Sequence, residues 1–255
     1  MKRLWDGLWI AFSMYSRIPV PQAAWTPEGM REVFCFFPLV GLVTGGVLWS
    51  WLWLAQRLGL TAALTAAAAT ALPLLCTGGI HLDGFCDTVD ALSSHGDREK
   101  KLAILKDSHV GAFAVMGCGL YLLLTFGLWS EYRFSPRGTA ALALGWALSR
   151  SLSGLSVVTF SKARREGTAA TFAQASPRHV AAVLAGWAAA CAGGMLWLAP
   201  AVGGACLGAA VLVFCYYRHV ALGQFGGVTG DLAGWFLQLC EGGMLLAAVC
   251  VEVFG

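Results

Sequence analysis

The chain has 255 residues, of which 58% are hydrophobic and 12% charged, with a net charge of +3; a soluble domain carries about 25% charged residues. Too few polar residues remain to build a water-soluble exterior, so an integral membrane protein is expected. The small positive excess is scattered over several loops, which argues against a nucleic-acid partner. Nine cysteines, at 35, 76, 86, 118, 191, 206, 215, 240 and 250, are odd in number, lack CxxC spacing and mostly lie in apolar runs. They read as small buried hydrophobes rather than as a disulfide framework or a zinc site.

In chain order, residues 4–20 carry Trp5, Trp9, Phe12 and Tyr15 and end at Arg17-Ile18-Pro19-Val20-Pro21. The segment is too short and too punctuated to span a membrane, and it lacks the layout of a signal peptide. An interfacial or re-entrant helix of mature sequence is expected. Seven runs then follow at about 33–54, 60–80, 110–129, 138–160, 180–199, 201–217 and 232–254, each able to cross roughly 30 Å of hydrocarbon. The short turn at Ala199-Pro200-Ala201-Val202-Gly203-Gly204 predicts a tight hairpin between the fifth and sixth. The fold class is therefore an all-α integral membrane protein, with about seven transmembrane helices plus the N-terminal helix, in a single polytopic domain over residues 1–255.

Basic residues set the orientation. Lys2, Arg3, Arg17, Arg31, Arg98, Lys100, Lys101, Lys106, Lys162, Arg164, Arg165, Arg178 and Arg218 fall on one side, and Arg57, Arg133 and Arg137 on the other, with Arg150 inside a span. Thirteen against three places the N-terminus and the 83–107 region in the cytoplasm. Arg150 is expected to face a polar cavity or to pair with an acid.

Three of the seven aspartates, Asp83, Asp87 and Asp90, occur within eight residues after the second run. In a helix they lie at i, i+4 and i+7 and share a face. Like charges in register repel, and a divalent cation offsets that cost; an all-oxygen set favours Mg²⁺ or Mn²⁺ over zinc. Gly84 lets a substrate or a neighbouring helix approach the backbone. Asp97, ahead of Arg98-Glu99-Lys100-Lys101, reads as the N-cap of a surface helix.

On the same side, Asp107 either completes the metal site or caps a helix. Gly226-Gly227-Val228-Thr229-Gly230-Asp231 is either a phosphate cradle or a flexible turn. Lys162, Arg164 and Arg165 are candidates to hold an anionic substrate. His81 is a candidate ligand, base or capping residue; His109 shares that ambiguity, and His95 and His179 read as loop residues. Clustered acids, a divalent metal and basic residues at one membrane face suggest phosphoryl chemistry, with a carboxylate or His81 taking a proton from an attacking hydroxyl.

Four stretches carry a family resemblance: Phe12-Ser13-Met14-Tyr15-Ser16-Arg17-Ile18-Pro19-Val20-Pro21, the 78–91 segment around His81-Leu82-Asp83-Gly84, Leu105-Lys106-Asp107-Ser108-His109-Val110-Gly111, and Gly226 to Asp231. In order, spacing and length the chain resembles the adenosylcobinamide-GDP ribazoletransferase, or cobalamin synthase, family. It departs from the family at His109, where an arginine is usual, near Cys86, where alanine is favoured, and at Leu232-Ala233-Gly234 after the final aspartate; none of these removes an acid.

The resemblance implies an Mg²⁺-dependent phosphotransferase of the bacterial inner membrane. Adenosylcobinamide-GDP and α-ribazole, or its 5′-phosphate, would give adenosylcobalamin, or its 5′-phosphate, and GMP. It further implies metal binding by Asp83, Asp87, Asp90 and Asp107. Catalytic roles fall to His81, Asp90 and Asp107, and substrate contacts to Lys106, Arg17 and Asp231. The lipid bilayer is the other partner, and the Gly- and Ala-rich spans leave room for a homodimer or a larger biosynthetic assembly.

Two rivals fit less well. A CDP-alcohol phosphatidyltransferase needs an aspartate ahead of Asp83-Gly84, an arginine where Thr88 stands, and a second acidic half that is absent. A transporter would place its acids at the midplane, within inverted repeats.

Overall fold

The computed structural model describes residues 2–22, 25–164 and 176–254. The described helices are α1 (Lys2–Tyr15), α2 (Pro27–Met30), α3 (Val33–Leu58), α4 (Ala62–Thr77), α5 (Ile80–Ser93), α6 (Arg98–Ile104), α7 (Ala112–Glu131), α8 (Pro136–Thr159), α9 (Arg178–Leu198), α10 (Pro200–Gln224) and α11 (Gly230–Phe254). Six of them, α3, α7, α8, α9, α10 and α11, are long and apolar enough to cross a membrane, and the bent pair α4 and α5 makes a seventh span when taken together.

That pair differs from the sequence expectation. The run at 60–80 does not form one straight span. Its helix ends at Thr77 and the chain turns through 97° into α5. The cause is local: Gly78 (φ 67°) and Gly79 (φ 79°) are both left-handed, which ends one helix and starts the next in a new direction.

α8 is the hub, with α3, α9, α10 and α11 packed around it. It carries serines and an arginine that lipid could not satisfy, so they bond inside the bundle. Ser151 Oγ donates to Ala147 O (2.7 Å), and Ser156 Oγ meets the Tyr217 hydroxyl (3.0 Å). Arg150 donates to the Glu241 carboxylate of α11 and to Trp146 O (3.1 Å), and Ser149 Oγ donates to the same carboxylate (3.0 Å). The expected acid partner of Arg150 is thus Glu241. By contrast, α7 is peripheral and exposes Phe113, Val115, Met116, Leu120, Leu123 and Leu124, as a lipid-facing helix should.

α1 is too short to span at about 1.5 Å per residue. It lies against α3, with Ile10 and Ala11 fully buried, Leu4 and Trp5 exposed, and the Tyr15 ring 4.3 Å from that of Phe37. Its exit is fixed by Arg17 N–H donating to Cys76 O (2.7 Å) at the end of α4. His179, expected in a loop, belongs to the first turn of α9. Its Nε2 is 2.9 Å from Glu32 Oε2, a contact that ties α9 to the start of α3. The hairpin between α9 and α10 has Ala199 as its only joint. All nine cysteines are free thiols.

Candidate active site

The acidic segment is helical, as its spacing predicts: α5 holds Asp83, Asp87 and Asp90. It packs along α11 and α7. Gly84 makes the contact with α11 close. A β-carbon there would lie 2.8 Å from both Cα and O of Asp231, so any larger residue would push the helices apart. Gly234, one turn further along α11, faces His81 O in the same way, with a β-carbon position 3.0 Å away. This glycine-mediated crossing brings Asp231, from the far end of the sequence, within electrostatic reach of the aspartates of α5, although the carboxylate oxygens of Asp83, Asp87 and Asp231 do not all lie within 4.8 Å of one another. The charges of Asp83, Asp231 and Asp90 all act on Asp87, and those of Asp83 and Arg164 act on Asp231. Asp83 is exposed, while Asp87 and Asp231 are half-buried.

Asp90 has a second occupation. Its Oδ2 accepts from Gly111 N–H (2.7 Å) and its Oδ1 from Ala114 N–H (2.8 Å), so it satisfies the open backbone donors at the start of α7. Asp107 is partnered locally, by His109. It is exposed in the loop before α7, accepting from His109 N–H at 3.0 Å and meeting the His109 ring at 2.6 Å. The His109 backbone and ring hydrogen bonds hold its carboxyl below the usual range. Asp97 is the N-cap of α6, accepting from Lys100 N–H (2.9 Å).

Of the expected phosphate contacts, Arg164 is at the site, donating to Leu102 O with its charge felt by Asp231. Lys162 donates to Phe160 O, and burial pulls its ammonium pKa down. Arg165 lies outside the described residues. Arg17 is exposed, and its side chain runs over Gly78 at the α4–α5 turn: a β-carbon on that glycine would lie 2.5 Å from Nε. Lys106 is exposed beside Asp107.

Part of the glycine loop's backbone is engaged within the protein. Gly227 N–H donates to Ala221 O (2.9 Å) and Val228 N–H to Ser161 O (2.8 Å), and Ala163 N–H returns to Val228 O (3.2 Å). Its glycines instead admit the extended 161–163 segment and the Arg98 guanidinium. That packing holds Arg164 near Asp231.

Behind the acids lies a cavity of about 170 Å³. Of its lining residues, Ile80, Asp83 and Gly230 are exposed and Asp231 is half-buried. Met14, Tyr15, Phe34, Phe37, His81, Ser153, Val157, Ala233, Gly234 and Leu237 form the rest. The His81 ring has centroids 6.2 Å from Tyr15 and 5.9 Å from Phe37, and its buried Nε2 has no hydrogen-bond partner among the described residues. Sequence reasoning did not assign Tyr15, Phe34 or Phe37 to the site; the only signal was the aromatic content of the N-terminal segment.

Residues 7–249 match the family model described as Cobalamin-5-phosphate synthase. The protein from Lachnoclostridium phytofermentans named "Adenosylcobinamide-GDP ribazoletransferase" is 44% identical, covering 97% of this chain and 94% of its own length. Proteins of the same name from Desulfitobacterium hafniense (37% identical, 94% of this chain and 95% of the relative) and Ralstonia nicotianae (35%, 92% and 91%) are also similar. No solved structure matches the chain. With the family model matched over nearly its whole length, the chain belongs to the cobalamin-5-phosphate synthase family.

Proposed function

We propose that the chain transfers the adenosylcobinamide-phosphate group of adenosylcobinamide-GDP to α-ribazole, or to α-ribazole 5′-phosphate, releasing GMP in the last steps of cobalamin biosynthesis. Similarity to the named transferases over nearly the full chain supports the substrates. The mutual electrostatic influence of Asp83, Asp87 and Asp231 across the α5–α11 crossing, with Arg164 acting on Asp231, supports the chemistry.

The donors in that group are carboxylate oxygens, which suits a hard divalent cation, Mg²⁺ or Mn²⁺. When bound, such an ion neutralises charge on the diphosphate and on the departing phosphate oxygen. Asp83, Asp87 and Asp231 would hold it. Asp90 and Asp107, both otherwise engaged, are weaker choices in this arrangement.

In the transfer, a ribose hydroxyl oxygen of the acceptor forms a bond to the phosphorus attached to cobinamide. The bond from that phosphorus to the GMP oxygen breaks, and GMP leaves in line. A carboxylate of the cluster accepts the hydroxyl proton, because His81 Nε2 is buried among rings and poorly placed for it. Arg164, with Lys106 and Arg17 nearer the surface, orients the diphosphate. We place the site on the cytoplasmic face of the bacterial inner membrane, on the strength of the thirteen-to-three distribution of basic residues.

The test is direct. Protein purified in detergent and supplied with adenosylcobinamide-GDP, α-ribazole and Mg²⁺ should form adenosylcobalamin and GMP in equal amounts. GMP without the cobalamin product, or neither, would overturn the reading.

A further inference from the structure

We infer that the cavity behind Asp83 and Asp231 is the seat of the acceptor's aromatic base, the dimethylbenzimidazole ring of α-ribazole. This rests on the transferase reading above and assigns one substrate part to one place.

The cavity is placed where the acceptor must be. Its more exposed lining carries Asp83 and Asp231, the proposed phosphoryl-transfer group, and its closed end lies among buried Phe34, Val157 and Leu237. A base lodged in the closed end leaves its ribose at the mouth, with a hydroxyl beside the carboxylates. Size agrees: an apolar cavity of about 150 Å³ admits a benzene ring, and this one has about 170 Å³ plus an open side toward the sugar. Met14, unbranched and flexible, gives further room at the wall. Tyr15, Phe37 and His81, packed against one another, give the wall an aromatic character that suits a flat aromatic group.

Two other parts of the substrates and a lipid chain could compete for the space, and chemistry separates them. The corrin is far too large. Guanine would fit by shape, but its edge carries several donors and acceptors, and most would be left unpaired against Phe34, Val157 and Leu237, each unpaired group costing about 1–3 kcal/mol. A lipid chain would not need the ring faces. Dimethylbenzimidazole presents two methyl groups and one free ring nitrogen. The apolar end takes the methyls, and the buried wall also carries two polar groups, Ser153 and His81, the latter with an Nε2 that has no partner among the described residues.

Steady-state kinetics with two acceptors and one variant test the assignment. For the wild type, the α-riboside of benzimidazole, lacking both methyls, should show a KM about ten-fold above that of α-ribazole, the loss expected for two unburied methyl groups. Val157→Phe, which fills the closed end, should raise KM for α-ribazole at least ten-fold while KM for adenosylcobinamide-GDP stays within two-fold. Equal use of the two acceptors by the wild type overturns the assignment. So does a Val157→Phe effect that falls on adenosylcobinamide-GDP, or equally on both substrates. If Val157→Phe fails to fold, the wild-type acceptor comparison decides alone. Absence of GMP with either acceptor would instead overturn the transferase reading itself.

Discussion

Gly84 and the Asp231 backbone touch where α5 crosses α11: a β-carbon at Gly84 would sit 2.8 Å from Asp231 Cα. This contact is what turns two stretches of sequence almost 150 residues apart into one acidic site. Gly84→Ala should therefore separate the helices and lower transfer at least ten-fold, with a stability loss of about 1–3 kcal/mol from overpacking. Gly119→Ala, where a β-carbon meets nothing within 4 Å, is the matched control and should leave both near wild type. Activity and thermal unfolding of the two variants in the same detergent provide the check.

Asp87 stands among like charges from Asp83, Asp231 and Asp90. Without a cation these repel, so Asp87→Asn should raise the unfolding temperature of the chelator-treated protein while reducing transfer at least a hundred-fold. Asp90→Ala should do the opposite to stability. It removes both acceptors from the start of α7 and should cost about 0.5–2 kcal/mol, the usual range for a lost helix cap. Differential scanning of both variants in chelator separates a charge held for function from one held for architecture.

Arg150 and Glu241 are a buried pair at the centre of the bundle, 1% and 7% exposed at their side chains. Removing one partner strands the other in a medium that cannot solvate it. Arg150→Met or Glu241→Leu alone should destabilise by about 3–5 kcal/mol, and the double variant should recover most of that loss. Unfolding measured as a double-variant cycle checks it; additive losses would mean the pair is not coupled.

The helical register of Asp83, Asp87 and Asp90 was legible from their spacing, as was the close approach allowed by Gly84, because both depend on residues near in sequence. The six long helices follow from runs of apolar residues. The bend after Thr77 was not legible, since hydropathy does not register the left-handed φ of Gly78 and Gly79. Asp231 could be picked out, but its companions could not, because the crossing that joins it to α5 is set by packing. The same holds for Glu241 as the partner of Arg150, and for Asp90 as the cap of a helix that begins more than twenty residues later. The glycine loop invited a phosphate reading; two of its backbone donors, Gly227 and Val228 N–H, bond Ala221 and Ser161. The pairing of Tyr15 with Phe37 was not legible either, because it depends on α1 folding onto α3.

The central claim is that Asp83, Asp87 and Asp231 form the divalent-cation site of the transfer. It is tested most directly by titrating Mg²⁺ into chelator-treated wild type and Asp231→Asn while following both GMP release and thermal stability. The wild type should be inactive without the ion, and should gain activity and stability together as Mg²⁺ is added. Asp231→Asn should need at least ten-fold more Mg²⁺ for half of its stabilisation. Full wild-type activity in the presence of chelator, or identical Mg²⁺ responses from the two proteins, would contradict the claim.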